Sequence, residues 1–417
     1  MLQMGRIFFP FVVIRKKIEG EWNMKRRKYK YILCVCMIIC TLAGCKSVEK
    51  ERTTADTWEE TLTCLKEEAP EQLGKQLKTK VSDKISIDAP IMIPNTMKEY
   101  MVSDITVTRH MFDYEFVAEY WKSCLKELEI EEEVSRTSDD LLEDGSNPKL
   151  HNVVYKDGSY ISSREHTFSM SREDMLEKRS AIIAPLGLGS NYGLEYATQE
   201  DLDFKTIEEA DKELREMLET FGVTNLVEEN ICYAASVENL KKAADAQEEE
   251  CTHRMKVMEI TDTSISKEDE MYWFEYMQGY NEIPFVRYGV EESVTGSFWG
   301  RIEDGICICY GAGGIASIEA GNFYDFKEAK EEKEIWTVGA ILEKFVKQKE
   351  SDLNAKKVKV TSIELSYLPI VSNEEKMEFD CVPVWAVVYK EWNEESSLES
   401  ESVVIYSARD GKIYDQG

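Results

Sequence analysis

Hydrophobic residues along this chain follow two periodicities, one typical of strands and one typical of helices. Isoleucine or alanine occupies every second position from Ile85 to Ile93, which predicts a strand within 84–93. Asp113 precedes a segment in which apolar residues recur at spacings of three and four, which predicts a capped amphipathic helix through Leu128. The segment 57–80 is predicted to be helical with a break at Pro70.

Turn and capping residues add two further elements. Alternating segments at 151–155 and 160–163 flank an Asp-Gly pair, which predicts a hairpin because this pair tolerates positive φ angles. The segment Thr206–Glu209 has the form of a capping box. It predicts a helix that runs through Phe221 and ends at Gly222.

From Ser236 onward, the same order of elements is predicted twice. The first set is a helix at 236–247 and strands at 271–278, 297–302 and 306–310, and the second is a helix at 337–350 and strands at 358–367, 379–389, 402–408 and 412–414. Each set predicts a helix packed on an antiparallel meander. The alternation in 358–365 favours a sheet with one buried face and one solvated face.

These patterns predict an α+β fold, with helices packed on antiparallel β-meanders. We expect two similar C-terminal units and an N-terminal helix-strand region. The expected divisions are an upstream extension at 1–23 that is not translated, a lipoprotein signal with its lipidation site at 24–45, a tether at 46–56, an N-terminal α+β region at 57–205, a middle α+β unit at 206–335 and a C-terminal helix-on-sheet unit at 336–417.

The N-terminal segment resembles a bacterial lipoprotein signal. A basic cluster at 25–28 precedes an apolar core from Tyr31 to Leu42. The segment ends in the lipobox-like residues Leu42, Ala43, Gly44 and Cys45. The resemblance implies that diacylglycerol on Cys45 anchors the protein in the lipid bilayer, on the extracytoplasmic face of the cell membrane. Two acyl chains hold a protein stably, whereas one gives marginal binding.

Met24 is the expected start, because a basic region that begins more than twenty residues into a signal is unusual. The alternative is that 7–14 is a first membrane-seeking segment, although it is short and contains Pro10. An uncleaved anchor is the weaker alternative for 31–42, since a spanning helix needs about 20 apolar residues.

The chain is strongly acidic, with 51 Lys and Arg, 80 Asp and Glu and a formal net charge of −29. Nine of the basic residues lie within 1–44, so removal of the signal leaves a still more acidic protein. Such a charge repels nucleic acid and anionic lipid surfaces, so we expect no nucleic-acid partner. It favours solubility near the membrane, or attraction of basic partners.

The cysteines do not predict a disulfide framework. Of eleven, three leave with the signal and Cys45 is assigned to the lipid. The remaining seven are an odd number without framework-like spacing, and they are Cys64, Cys124, Cys232, Cys251, Cys307, Cys309 and Cys381. We expect most of them, including Cys124 and Cys381, to be small buried residues.

A second resemblance lies near the C-terminus. Pro383-Val384-Trp385 is followed by an extended segment and then by the sequence IYSARDGKI at 405–413. This arrangement resembles the end of PepSY-like domains and of extracytoplasmic regulators of Gram-positive cell-wall sensor kinases. The mature chain also resembles uncharacterised lipoproteins of Gram-positive anaerobes. These resemblances imply a non-enzymatic binding or inhibitory module, although related regulators usually keep a membrane-spanning helix. The alternative is that these residues serve only strand packing and turn geometry.

No catalytic or cofactor motif is recognised in the sequence. The four histidines lack the spacing of a zinc-hydrolase motif, and we expect His151 and His166 to be exposed on strands. The glycine-rich segment 187–193 departs from the dinucleotide fingerprint, and the acidic segment 139–147 lacks EF-hand spacing. Cys307 and Cys309 lie on one face of a strand and are expected to be packing residues. The prediction is therefore no catalytic residues, no cofactor and no metal.

The densest aromatic cluster is YWFEYMQGY at 272–280. Burial in the core is favoured for this cluster, because large aromatic side chains are mostly buried. If one face of the strand is exposed instead, Tyr272, Tyr276 and Tyr280 are the candidate ligand or partner surface. The expected function is that of a membrane-anchored lipoprotein that binds or regulates a membrane or cell-wall protein. A solute- or glycan-binding lipoprotein would need an exposed aromatic cleft, and a hydrolase, the less favoured alternative, would need convergent carboxylates.

Overall fold

The computed structural model describes residues 51–53, 57–137, 149–173, 175, 198–227, 231–246, 265–286, 305–321, 323–352, 356–393 and 399–414. Within them, the protein is an α+β fold dominated by strands, as predicted. The α-helices are α1 (Trp58–Glu67), α2 (Tyr114–Cys124), α3 (Ile207–Thr220), α4 (Val237–Ala246) and α5 (Val338–Ser351). Two short 3-10 helices lie at Pro70–Gln72 and Lys267–Asp269.

The strands form two large sheets and two small two-stranded pairs, of which β12–β13 is a hairpin and β4–β17 joins distant segments. They are β1 (Glu51–Thr53), β2 (Gln76–Lys80), β3 (Ile85–Met92), β4 (Met101–Val102), β5 (Ile105–Arg109), β6 (Ile130–Arg136), β7 (Leu150–Tyr155), β8 (Tyr160–Arg164), β9 (Thr167–Ser171), β10 (Ile231–Ala235), β11 (Met271–Tyr276), β12 (Gly279–Tyr280), β13 (Ile283–Pro284), β14 (Gly305–Gly311), β15 (Gly314–Gly321), β16 (Tyr324–Ala329), β17 (Lys333–Glu334), β18 (Lys357–Asn373), β19 (Glu378–Trp392), β20 (Glu399–Ser407) and β21 (Ile413–Tyr414).

The first sheet combines strands from both ends of the described chain. Its order is β2, β3, β18, β19, β20 and β21, and β5 also pairs with β19 and with β16. The contact between β3 and β18 is parallel, whereas the other pairs in this sheet are antiparallel. Helices α1 and α5 bury Leu65, Ile341 and Phe345 in the same core as Val360 and Trp385 of this sheet. Burial of apolar surface of this kind is the main stabilising contribution to a fold.

The second sheet has the order β10, β11, β14, β15, β9, β8, β7 and β6. Helices α2 and α3 share a core with it, in which Trp121 and Leu218 from the helices join Phe168, Tyr272 and Phe274 from the strands. Each helix begins at a residue that the sequence identifies. The Asp113 side chain accepts a hydrogen bond from the Phe116 backbone amide, and Thr206 and Glu209 form the predicted capping box.

Three helices are each followed by four antiparallel strands that pair in sequential order. Helix α2 precedes β6 to β9, α3 precedes β10, β11, β14 and β15, and α5 precedes β18 to β21. The first two meanders meet through β9 and β15 to make the second sheet. The first sheet takes strands from both sides of the expected boundaries at 205 and 335, and the second sheet takes strands from both sides of 205. The boundaries themselves stay a prediction.

Two local predictions are wrong. The segment 57–80 is not one interrupted helix, because 76–80 forms β2 and pairs with β3. The expectation of one solvated face at 358–365 holds at 358–361, where buried valines alternate with partly exposed residues, and is wrong at Glu364, which is only 4% exposed. Beyond this point Phe285 forms a parallel bridge with Tyr367 of β18, and an alternating pattern within the strand alone does not reveal such a neighbour.

The motif that resembles PepSY-like domains holds the segment before α5 against the first sheet. The Trp385 indole N–H donates to the Trp336 carbonyl at 3.0 Å. The Trp336 amide donates to the Ala408 carbonyl at 2.7 Å, and the Ala408 amide to the Pro383 carbonyl at 3.0 Å. Gly411, with φ of +67°, packs against the Trp336 ring. The motif residues therefore position Trp336 and the start of α5.

Among the helices in the described ranges, none combines the length and the apolar character that crossing a membrane requires.

Candidate functional site

A pocket of about 110 Å³ lies on the side of the first sheet where Glu364 is buried. We name it the Glu364 pocket. It is formed between β18, the segment 92–96 after β3, and the hairpin β12–β13. Its side chains are Met92, Ile93, Pro94, Asn95, Thr96, Val227, Met277, Glu282, Pro284, Phe285, Glu364, Leu365 and Ser366. The walls are therefore mainly apolar and contain two carboxylates.

A tight hairpin forms one wall of this pocket. Asn281 and Glu282 have φ values of +49° and +64°, and they connect the paired residues Tyr280 and Ile283. Two consecutive residues with positive φ are the signature of a type I′ hairpin turn. The Val286 amide donates to the Tyr367 carbonyl at 2.8 Å and docks the end of this segment on β18. The hairpin thereby brings Glu282 to the pocket that Glu364 lines.

Glu364 is an unusual residue for the centre of a sheet. It is 4% exposed, and the Ser362 hydroxyl donates to one of its carboxylate oxygens at 2.8 Å. Ile363 and Leu365 belong to the core shared with α1 and α5, so the alternation along β18 directs Glu364 to the opposite side. Burial of a carboxylate is costly unless hydrogen bonds or a cation compensate it. Hydrogen bonds such as the one from Ser362 offset this cost. The negative charge beside apolar walls complements a short apolar group that ends in a hydrogen-bond donor or a positive charge.

A second, wider cleft of about 580 Å³ lies beside Trp336, with Lys344, Lys347 and Arg409 in its lining. The Arg409 guanidinium donates to the carbonyls of Lys333 and Val102 at 2.6 and 2.7 Å. It also pairs with Asp104 at 2.7 Å. Arg409 therefore connects β4 and β17 to the segment that follows β20. The Glu364 pocket is the better defined of the two candidate sites.

The three candidate tyrosines do not form a shared surface. Tyr272 is 0% exposed and Tyr276 is 1% exposed, so both are core residues and the prediction of a ligand surface is wrong for them. Burial raises the pKa of both phenols above the usual value. Tyr280 is half-buried and stacks on Phe326 with 4.7 Å between ring centroids. Their alternation on β11 places Tyr272 and Tyr276 on the face that α3 covers.

The expectation of exposed strand histidines is wrong for His151, which is 3% exposed and lies between two glutamates. His166 is partly buried, and desolvation lowers its pKa. The cysteine prediction holds for Cys381, which is buried, and fails for Cys124, which is exposed on α2. The candidate lipobox residues 42–45 and the segments 139–147, 187–193 and 297–302 lie outside the described residues.

The sequence contains a signal for the Glu364 pocket that periodicity alone does not detect. Glu364 directly precedes Leu365–Val371, a mainly apolar run that contains one serine and one proline. A strand of this kind is buried on both faces. A glutamate at its start is then a buried charge, and buried charges are enriched at functional sites.

No family model matches this chain, and no curated protein matches it. Among solved structures, the chain is similar to a crystal structure of an uncharacterized protein from Eubacterium rectale ATCC 33656, with a TM-score of 0.63. The match covers 86% of this chain and 99% of that chain, with 20% sequence identity. At this identity the likeness concerns the fold alone. The two proteins therefore share an overall α+β architecture over most of their lengths.

Proposed function

We propose that this chain is a membrane-anchored extracytoplasmic lipoprotein that binds a basic side chain of a membrane protein or cell-wall peptide in the Glu364 pocket. The proposal needs no catalytic step. The observation that carries it is the buried Glu364 carboxylate in the wall of a mainly apolar pocket. The lipobox-like sequence ending at Cys45 supports the location.

The size of the pocket favours a single side chain over a free solute. Sites for drug-sized ligands occupy about 300–1,000 Å³, whereas this pocket measures about 110 Å³. An engineered apolar cavity of about 150 Å³ is known to bind benzene, so the present pocket suits four or five heavy atoms. An aliphatic chain with a terminal amine has this size, and its charge complements both Glu364 and the net charge of −29.

The solute- or glycan-binding alternative loses its specific support, because Tyr272 and Tyr276 are buried. The C-terminal resemblance to PepSY-like domains supports the regulatory form of the proposal. We also propose that the helix-and-meander arrangements, which include the two expected at 206–335 and 336–417, arose by duplication. Their common strand order supports this origin.

The anchor is tested by replacing Cys45 with serine. A serine oxygen does not take the diacylglycerol, so we expect the variant to lose fatty-acid labelling almost completely. It should also accumulate as an unprocessed precursor. The measurement is metabolic labelling with an alkyne fatty acid, followed by fractionation and mass spectrometry of the intact protein.

Cys40→Ser is the matched control, because Cys40 lies in the same apolar core and outside the lipobox. It should keep both labelling and membrane association. Labelling of the Cys45→Ser protein at the wild-type level would contradict the proposed anchor without bearing on the pocket.

Binding is tested with n-butylamine, n-butanol and butyrate as small probes of the Glu364 pocket. We expect millimolar binding of the amine, weaker binding of the alcohol and none of the acid, because Glu364 and Glu282 repel it. Glu364→Gln keeps the size and the acceptor for Ser362 but removes the charge. It should weaken amine binding about tenfold, a loss typical of a charged hydrogen bond of about 1.5 kcal/mol, and leave the alcohol unchanged. Chemical-shift titration measures all three.

Glu378→Gln provides the control variant for this titration. Its carboxylate pairs with Lys327 at 2.8 Å on the rim of the same sheet, and it is not among the residues that line the pocket. Equal amine affinity of the Glu364→Gln and wild-type proteins would remove the basis of the proposed binding function.

A further inference from the structure

Charged side chains from α2, β6 and β7 meet at the edge of the second sheet. Glu119 comes from α2, Glu133 from β6 and His151 from β7. Each offers a ligand atom, and these atoms lie within 4.8 Å of one another. Glu115, one helical turn before Glu119, faces the same histidine. This group is independent of the Glu364 pocket.

His151 is held in the orientation that metal-binding histidines adopt. Its side chain is buried, and Nδ1 lies 2.7 Å from a carboxylate oxygen of Glu115. The Ser135 hydroxyl donates to the other oxygen of Glu115 and fixes that carboxylate. When Nδ1 donates its proton to a fixed carboxylate, Nε2 presents a lone pair to a metal. In the structure Nε2 lies 2.7 Å from the Oε1 atom of Glu133, in a hydrogen bond that the ring N–H donates. A metal ion bound at Nε2 would take the place of this proton.

Tyr155 supplies a second and independent observation. It follows His151 by four residues on β7 and therefore projects from the same face of the strand. It is 1% exposed, and within the described part of the chain its phenol oxygen has no hydrogen-bond partner. Besides Asp157, the charges that act on this phenol are Lys122, Glu133 and Glu119 of the cluster. A buried hydroxyl with this placement lacks a ligand or an ordered water.

Lys122 acts as the counterion of the two carboxylates in the structure. Its ammonium lies 2.9 Å from Glu119 and 2.7 Å from Glu133. The hydrogen bond from Lys122, and a smaller one from His151, hold the pKa of Glu133 below its usual value. The lysine projects from α2 on a flexible stem, and its side chain is 22% exposed. It can therefore leave toward solvent when another cation takes its place.

We propose that His151, Glu133 and Glu119 form a binding site for a divalent first-row transition metal, Zn²⁺ in the test below, that competes with Lys122. One imidazole with carboxylates is a donor set that suits zinc. In a tetrahedral zinc site with bond lengths of about 2.0–2.2 Å, neighbouring ligand atoms are roughly 3.4 Å apart. The three ligand atoms here lie within 4.8 Å of one another, so they must draw together by about 1 Å, and the exposed side chain of Glu119 can supply this movement. Glu115 positions His151. The buried Tyr155 hydroxyl lies within electrostatic range of Glu119 and Glu133.

The test is isothermal titration of the full-length protein, purified without a histidine tag, with Zn²⁺. We expect one ion per chain in the wild-type protein and at least a 100-fold loss of affinity in His151→Gln. Lys122→Met removes the competing cation and should raise the affinity about tenfold. Glu115→Ala removes the positioning carboxylate and should lower it by 10–100-fold, the range for such partners.

His110→Gln is the matched control, since His110 also bonds a carboxylate, Asp325 at 2.9 Å, but contacts none of the proposed ligands. It should bind Zn²⁺ as the wild type does. Unchanged affinity in His151→Gln would show adventitious binding elsewhere and overturn the proposal. Binding that appears only in Lys122→Met would identify the lysine as the native counterion and also overturn it. Circular dichroism of each variant separates loss of a ligand from loss of the fold.

Discussion

Replacing Trp385 with alanine is expected to lower the free energy of unfolding by about 3–5 kcal/mol, the range for truncation of a buried large aromatic residue. Trp385 is 0% exposed and lies in the core between the first sheet and helices α1 and α5. Its neighbours across β18 and β20 are Leu365 and Tyr406. A cavity at this position therefore affects three adjacent strands. Urea denaturation followed by circular dichroism measures the change.

Two further variants separate the causes of this loss. Trp385→Phe keeps most of the apolar ring but removes the N–H that donates to the Trp336 carbonyl. This substitution should lower the free energy of unfolding by about 1–3 kcal/mol, because the Trp336 carbonyl loses its hydrogen-bond donor. Trp273→Ala serves as the control, since this tryptophan is partly exposed and donates its indole N–H to a nearby carboxylate, Glu275. We expect Trp273→Ala to lower the free energy of unfolding by about 1 kcal/mol. A decrease equal to that of Trp385→Ala would contradict the core role assigned to Trp385.

Local sequence signals predicted much of the secondary structure because the responsible interactions are themselves local. The Thr206 capping box, the Asp113 cap and the alternation from Ile85 depend on residues within four positions of one another. The segment 76–80 was misassigned for the opposite reason. It is a strand because it pairs with β3, and a tertiary pairing of this kind overrides helix propensity.

The sequence signals that Glu364 is buried, but the pocket around it could not be predicted because the walls of the pocket are distant in sequence. It requires the turn at Asn281, which places a glutamate rather than the favoured glycine at the second left-handed position. It also requires the hydrogen bond between Val286 and Tyr367, residues 81 positions apart. Likewise, His151 was expected to be exposed because its partners Glu115 and Glu133 come from other elements. In both cases the alternation within one strand predicts exposure, and residues from other elements bury the side chain.

Gly411 is the one glycine of the C-terminal motif, and we expect its substitution to destabilise the fold. Its φ of +67° is unfavourable for residues with a Cβ atom, and an added Cβ would lie 2.4 Å from Cζ3 of the Trp336 ring. We expect Gly411→Ala to lower the free energy of unfolding. The left-handed backbone conformation should account for about 1–2 kcal/mol, and displacement of the packed Trp336 ring for about 1–3 kcal/mol more. Urea denaturation provides the measurement, and near-ultraviolet circular dichroism should report the altered tryptophan environment.

Gly314→Ala isolates the contribution of the ring contact. Gly314 also has a positive φ, +94°, but a Cβ there meets no atom within 4 Å. It should therefore show the backbone cost without the steric cost. In the double variant Gly411→Ala/Trp336→Ala, the ring that causes the overlap is absent, so the two losses should be less than additive. Additive losses, or equal losses at Gly411 and Gly314, would show that the close approach to Trp336 does not explain this glycine.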